Sequence, residues 1–141
     1  MNARLRAAAA GSTAAVVWGL AEPLDQRLLR YDYSDVAVLG KAVTRGRGWR
    51  AAGFALHAAN GAIFGLAFDE LRGHVPVPPR RLAVAFALAE HAALFPLGWF
   101  VDRYHPARGE PGLASLVTPR AFAQATWRHL LFGTVLGRLA A

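Results

Sequence analysis

Residues 82–101, LAVAFALAEHAALFPLGWFV, form an apolar run of about 20 residues, the length at which a helix crosses a bilayer. Glu90 and His91 stand at its middle. A charged, unpaired acid at that depth costs about 2.5–3.5 kcal/mol, so the fold must supply a partner for it or keep it out of lipid. Other helices therefore have to surround this one.

The strongest companion is 51–68, AAGFALHAANGAIFGLAF, which carries no formal charge when His57 is neutral. A soluble four-helix bundle would show a polar face on every helix, and this stretch shows almost none. Composition by itself is undecided, with 55% hydrophobic and 18% charged residues and a mean hydropathy of +0.26. Distribution decides, because the charges cluster between apolar runs.

Two weaker helices complete the set. Arg4 and Arg6 precede an uncharged run from Ala7 to Ala21, in which Gly11, Ala15 and Gly19 recur every four residues and let another helix approach closely. Gly19 and Ala21 before Glu22 also fit the cleavage site of a secretory signal, so this run reads either as a span or as a leader. At the other end, Thr118 suits a helix cap and Pro119 a first turn, opening a helix with Arg128 near its centre. The expected fold is all-α: a four-helix transmembrane bundle built from two helical hairpins. It forms one multi-pass integral membrane domain over 1–141, with spans at about 5–22, 50–69, 81–101 and 119–139.

In the long connection 22–50, Ser34 can cap a short helix over 35–44 whose Val36, Leu39 and Val43 share a face. With Tyr31, Tyr33, Lys41, Arg45 and Trp49 around it, the segment reads as an interfacial helix at headgroup level. Pro76, Pro78 and Pro79 extend the next connection, and Pro96 kinks the third span. Asp102, Arg103 and His105 suggest a small hydrogen-bonded cluster.

The net charge of +7 is almost wholly arginine. No basic helix face or recognisable nucleic-acid module accompanies it, so the expected partner is membrane lipid and not nucleic acid. The absence of cysteine excludes disulfides, thiolate metal sites and catalytic thiols.

Shifting the chain by 72 residues aligns His57, Gly61 and Gly65 with His129, Gly133 and Gly137. Each set places an imidazole on the face of a glycine groove, which marks those four glycines as helix-packing positions. The same small-residue stripes suit self-association, so a homo-oligomer is a further expectation. ALHAANGAIFGLAF and WRHLLFGTVLGRL resemble the tandem His-and-glycine helices of small four-span bacterial membrane proteins of the YagU-like kind, and GLAEP resembles the acidic end of their first helix. That resemblance covers about half the chain and implies a fold and a place in the bacterial inner membrane, without an activity.

Counted by helical rise, His57 and Asn60, Glu90 and His91, and Arg128 and His129 fall near one plane, with Ser12 and Thr13 from the first helix. Glu90 with Arg128 is the expected ion pair, and Glu90 with a histidine the alternative, Arg128 then snorkelling toward an interface. The leading reading is a structural polar knot that fixes helix register. The alternatives are a path or binding site for a proton, ion or small solute, haem or metal ligation by two of His57, His91 and His129, and acid–base chemistry at Glu90. No cofactor is demanded by the pattern: no two histidines share a helix at a chelating interval. No nucleophile or phosphate-binding loop accompanies Glu90 either.

Overall fold

A computed structural model describes residues 2–140, and among these the regular secondary structure is helical apart from one isolated antiparallel bridge between Tyr33 and Leu113. The helices are α1 (Ala3–Leu29), α2 (Asp35–Val43), α3 (Trp49–Arg72), α4 (Pro79–Leu94), α5 (Gly98–Tyr104) and α6 (Pro119–Leu139). A single 3-10 turn at Phe95–Leu97, holding Pro96, joins α4 to α5 where the kink is expected. The expected caps form: Ser34 Oγ accepts from Ala37 N at the start of α2, and Thr118 Oγ1 accepts from Ala121 N at the start of α6.

The first helix runs seven residues past its expected end at 22. Pro23 lies inside it and removes only one backbone donor, while Glu22 and Asp25 are buried and paired on one side. A cleavage after Ala21 would sever the helix against which α3 and α6 both pack.

Packing follows the small residues. The core is thin and rich in alanine, with Ala10, Ala14, Ala15, Ala83 and Ala87 around Trp18, Phe68, Phe132 and Leu136. On α3, a Cβ at Gly61 would overlap the carbonyl oxygen of Gly11, and one at Gly65 that of Ala7, so this glycine face meets α1 backbone to backbone. On α6, a Cβ at Gly133 would lie 2.7 Å from Val84 Cα and one at Gly137 2.9 Å from Arg80 Cα. The two halves of the repeat thus do the same job, each seating its helix against the first long helix of its own hairpin. Helix α1 also packs on α6, whereas α3 and α4 barely touch.

The short helix α2, the expected interfacial helix, sits at one end of the bundle, held against its neighbours. It packs on α3 through Val36 and Gly40, while Ala37 lies against Gly112 and Val43 is exposed. Its partner on the same end of the bundle is the 105–118 connection. Ser34 N donates to Gly112 O, Ala114 N to Asp32 O, and the buried Lys41 reaches Pro111 O at 2.8 Å and Glu110 at 3.2 Å. Asp102, Arg103 and His105 do not bond to one another: Asp102 accepts from Ser115 and the amides of Leu116 and Val117, and His105 Nε2 meets Val38 O.

Among the described residues, α3 and the α4–α5 segment Pro79–Tyr104 alone are long and apolar enough to cross a membrane. Helices α1 and α6 are diluted by Arg4, Arg6, Glu22 and Asp25, and by Arg120, Arg128 and Arg138. In the most apolar windows of those two segments, 28% and 17% of residues are buried. A soluble protein would put such stretches in its core, and here they face outward.

Gly61→Ala and Gly133→Ala are expected to lower stability by about 1–3 kcal/mol through overpacking. Gly73→Ala, whose Cβ would sit 3.4 Å from Glu70 O, is expected to be near neutral. Denaturant titration of helicity in detergent checks all three.

Candidate functional site

The polar residues divide into two groups rather than one belt. The first is built around Arg128, whose side chain is fully buried. Its Nε and Nη2 donate to the two oxygens of Asp25 at 2.7 and 2.6 Å, a bidentate fork from α6 to α1. Nη1 donates to Asp35 Oδ2 at 2.9 Å and lies 3.5 Å from Glu22 Oε1, Nη2 also reaches Tyr33 O at 2.8 Å, and the guanidinium sits 4.7 Å from the centre of the Tyr33 ring. Gln124, one turn before Arg128, donates to Asp25 Oδ1 and Tyr31 O.

Glu22 has a second task. Its carboxylate accepts from Ser34 Oγ and from the amides of Asp35 and Val36, holding the first turn of α2. Burial pushes the Asp35 carboxyl up, but Arg128, His57 and the Tyr33 hydroxyl outweigh it and hold it below its ordinary value. Burial first, then the charge of Asp35, push the Tyr33 hydroxyl well above its ordinary value, so it stays a donor to Asp35.

The second group lines a cavity of about 480 Å³ between α3 and α4. Its floor comes from Trp18 of α1 and Ala125, His129 and Phe132 of α6; its walls carry His57, Asn60 and Phe64 on one side and Glu90, His91 and Phe95 on the other. Glu90 Oε2 lies 3.2 Å from His129 Nε2, with 32% of the glutamate side chain exposed. His91 stacks on His129, centroids 4.8 Å apart at 27°, and its Nε2 meets Thr126 Oγ1 at 3.0 Å. His57 is buried and its Nε2 has no partner.

Trp18 joins the groups. Its Nε1 donates to Asp35 Oδ2 at 3.1 Å, and its ring meets those of His57, His129 and Phe132 edge-on.

Against expectation, Arg128 and Glu90 do not pair. Glu90 does face α6, but it meets His129, and Arg128 turns to acids one hairpin away instead of snorkelling. Asn60 is exposed and lies on the cavity wall, and Thr13 is exposed while Ser12 Oγ donates to Ala58 O across the α1–α3 seam. The residues that sequence reasoning passes over are Trp18, Glu22, Asp25, Asp35 and Gln124. Two spacings carry their signal: Glu22 and Asp25 at i, i+3, and Gln124 and Arg128 at i, i+4, each put two polar groups on one helical face.

The site offers no ready metal centre: among the described residues no group of three or more His, Asp or Glu is placed to hold an ion. His91 and His129, stacked face to face, are not placed to meet one iron from opposite sides. No protein-family model, curated protein or solved structure matches the chain.

Replacing Arg128 by Met leaves the buried Glu22 and Asp25 and the half-buried Asp35 without their cation and is expected to cost about 3–5 kcal/mol in a denaturant titration. Arg128→Lys should recover only part, because an ammonium cannot fork across Asp25. Asp35 adds a pH signature. Its folded value is depressed, so its stabilisation is present above about pH 4 and is lost as pH falls through the folded value. The difference in melting temperature between the parent and Asp35→Asn should therefore be largest near neutrality and shrink below about pH 4.

Proposed function

We propose that the chain is a small multi-pass integral membrane protein in which α1, α3, the α4–α5 segment and α6 all cross the bilayer, and that its lateral cavity binds a small solute. The cavity that reaches Glu90 carries this reading. A purely structural polar knot would enclose or pair its acids, and the Arg128 group buries Glu22 and Asp25 and pairs Asp35 with Arg128, whereas Glu90 stays a third exposed on the wall of an open space. The structural role therefore belongs to Arg128 and its partners, and the binding role to His57, Glu90, His91 and His129.

Support for membrane insertion comes from the outer surface, where Leu20, Ile63, Leu66, Leu97, Trp99, Phe100, Trp127 and Leu130 are exposed on several helices. The rings of Trp99, Phe100 and Tyr104 cluster near one end of the bundle, as an aromatic belt would. Kinship with the YagU-like proteins fits this fold and location. The glycine stripes are taken up within the chain, so self-association would have to use other surfaces. Transport of the bound solute is the second reading, favoured by the same open access to Glu90.

The cysteine-free chain suits single-cysteine labelling in sealed vesicles. Gly46→Cys and Arg108→Cys should react with an impermeant maleimide from one side, and Asn2→Cys, His74→Cys and Arg138→Cys from the other. Labelling of Asn2→Cys and Arg138→Cys together with Gly46→Cys would reduce the protein to two spans, and release by alkaline carbonate would refute insertion.

A further inference from the structure

We propose that the cavity binds an amphiphilic organic cation, which enters sideways between α3 and α4. This rests on the solute-binding reading above and assigns its ligand class.

The wall of the cavity has an excess of hydrogen-bond acceptors. The hydroxyl of Thr126 donates its one proton to Phe122 O at 2.8 Å, so toward His91 it can only accept. His91 therefore presents Nε2–H to Thr126 and keeps Nδ1 as a lone pair, for which no hydrogen bond forms in the fold. His129 Nδ1 donates to Ala125 O at 2.7 Å, so in the neutral ring Nε2 is a lone pair turned toward Glu90 Oε2 at 3.2 Å, and these two acceptors need a donor between them. One oxygen of Glu90 remains without a protein partner. His57 adds a buried Nε2 without a partner, which accepts or donates according to its tautomer.

Charge points the same way. Two carboxylates, Asp35 and Glu90, line the space, and no Lys or Arg is among the described residues that do. Asp35 is matched by Arg128 behind the wall, so Glu90 is the acid whose only ionisable contact is an imidazole. An anionic ligand would meet Glu90 without a countercharge, and a neutral one could give it only an uncharged donor, a weaker bond than an ammonium makes. An ammonium group satisfies both Glu90 and a histidine lone pair.

The body of the ligand follows from the remaining surface. Trp18, Phe64, Phe95 and Phe132 present aromatic faces and edges suited to a flat apolar group and to a cation above a ring. The volume matches a ligand of drug size. Entry lies between the two most apolar segments of the chain, so a molecule already dissolved in the bilayer reaches Glu90 without crossing a polar end.

Naphthylmethylammonium, naphthylmethanol and naphthoate share one ring system and differ in charge. Equilibrium dialysis of each against the purified full chain in detergent should show the ammonium bound about tenfold more tightly than the other two, the ratio set by one charge-assisted hydrogen bond. Glu90→Gln should abolish that preference. Ile63→Trp, at a rim position 65% exposed, should abolish binding of the ammonium with helicity and melting unchanged, which keeps the test decisive where Glu90→Gln fails to fold. Equal affinity for the three probes would overturn the cation assignment and leave a solute site standing. Binding of none would overturn both, and an ammonium preference that survives in Glu90→Gln would remove Glu90 from the role.

Discussion

A guanidinium with no contact with solvent sets the terms for half of this protein. Arg128 is carried into the bundle by α6, and its desolvation can be offset only by acids brought to it from elsewhere. Glu22 and Asp25 meet it from the last turns of α1, and Asp35 from the start of α2. One side chain on α6 thus fixes α1 and α2, which lie far from it in sequence. Because Glu22 also holds the opening amides of α2, the position of α2 against α3 depends on the same cluster.

That cluster also sets the cavity, although it does not line most of it. Asp35 receives Trp18 Nε1, and the orientation of that indole decides where the edges of His57 and His129 can sit. Loss of Arg128 would release Asp35, and with it the floor of the cavity, so a functional defect at Arg128 would not by itself make Arg128 a ligand-binding residue.

Local rules made much of this legible in the sequence. Ser34 and Thr118 cap helices because each offers a hydroxyl to an amide three residues on, and Pro96 breaks α4 because it lacks a donor. The tandem glycines also read correctly as packing positions, since their spacing keeps them on one face. The partner of Arg128 was not legible, because depth along separate helices does not say which faces meet. Ending α1 at Glu22 left Asp25 in a loop, and a loop residue competes poorly with Glu90 for a buried arginine. The helix continues through Pro23, and that one turn carries Asp25 to the fork. Even a correct α1 would have left the choice between Glu90 and Asp25 to tertiary packing.

Why the second polar group stays open follows from where the glycines face. Those of α3 are spent on α1, and those of α6 on α4. With α1 and α6 also in contact, the long helices form a row in the order α3, α1, α6, α4, and its two ends lack small faces to bring them together. Phe64, Phe86 and Phe95 stand there instead, and bulky rings hold helices apart where glycines would let them close. The row curls until α3 and α4 barely touch, leaving Glu90 and the three histidines around a space instead of inside a seam. Small residues at two seams and large ones at the third are therefore sufficient to make a lateral cavity, with Glu90 left on its wall.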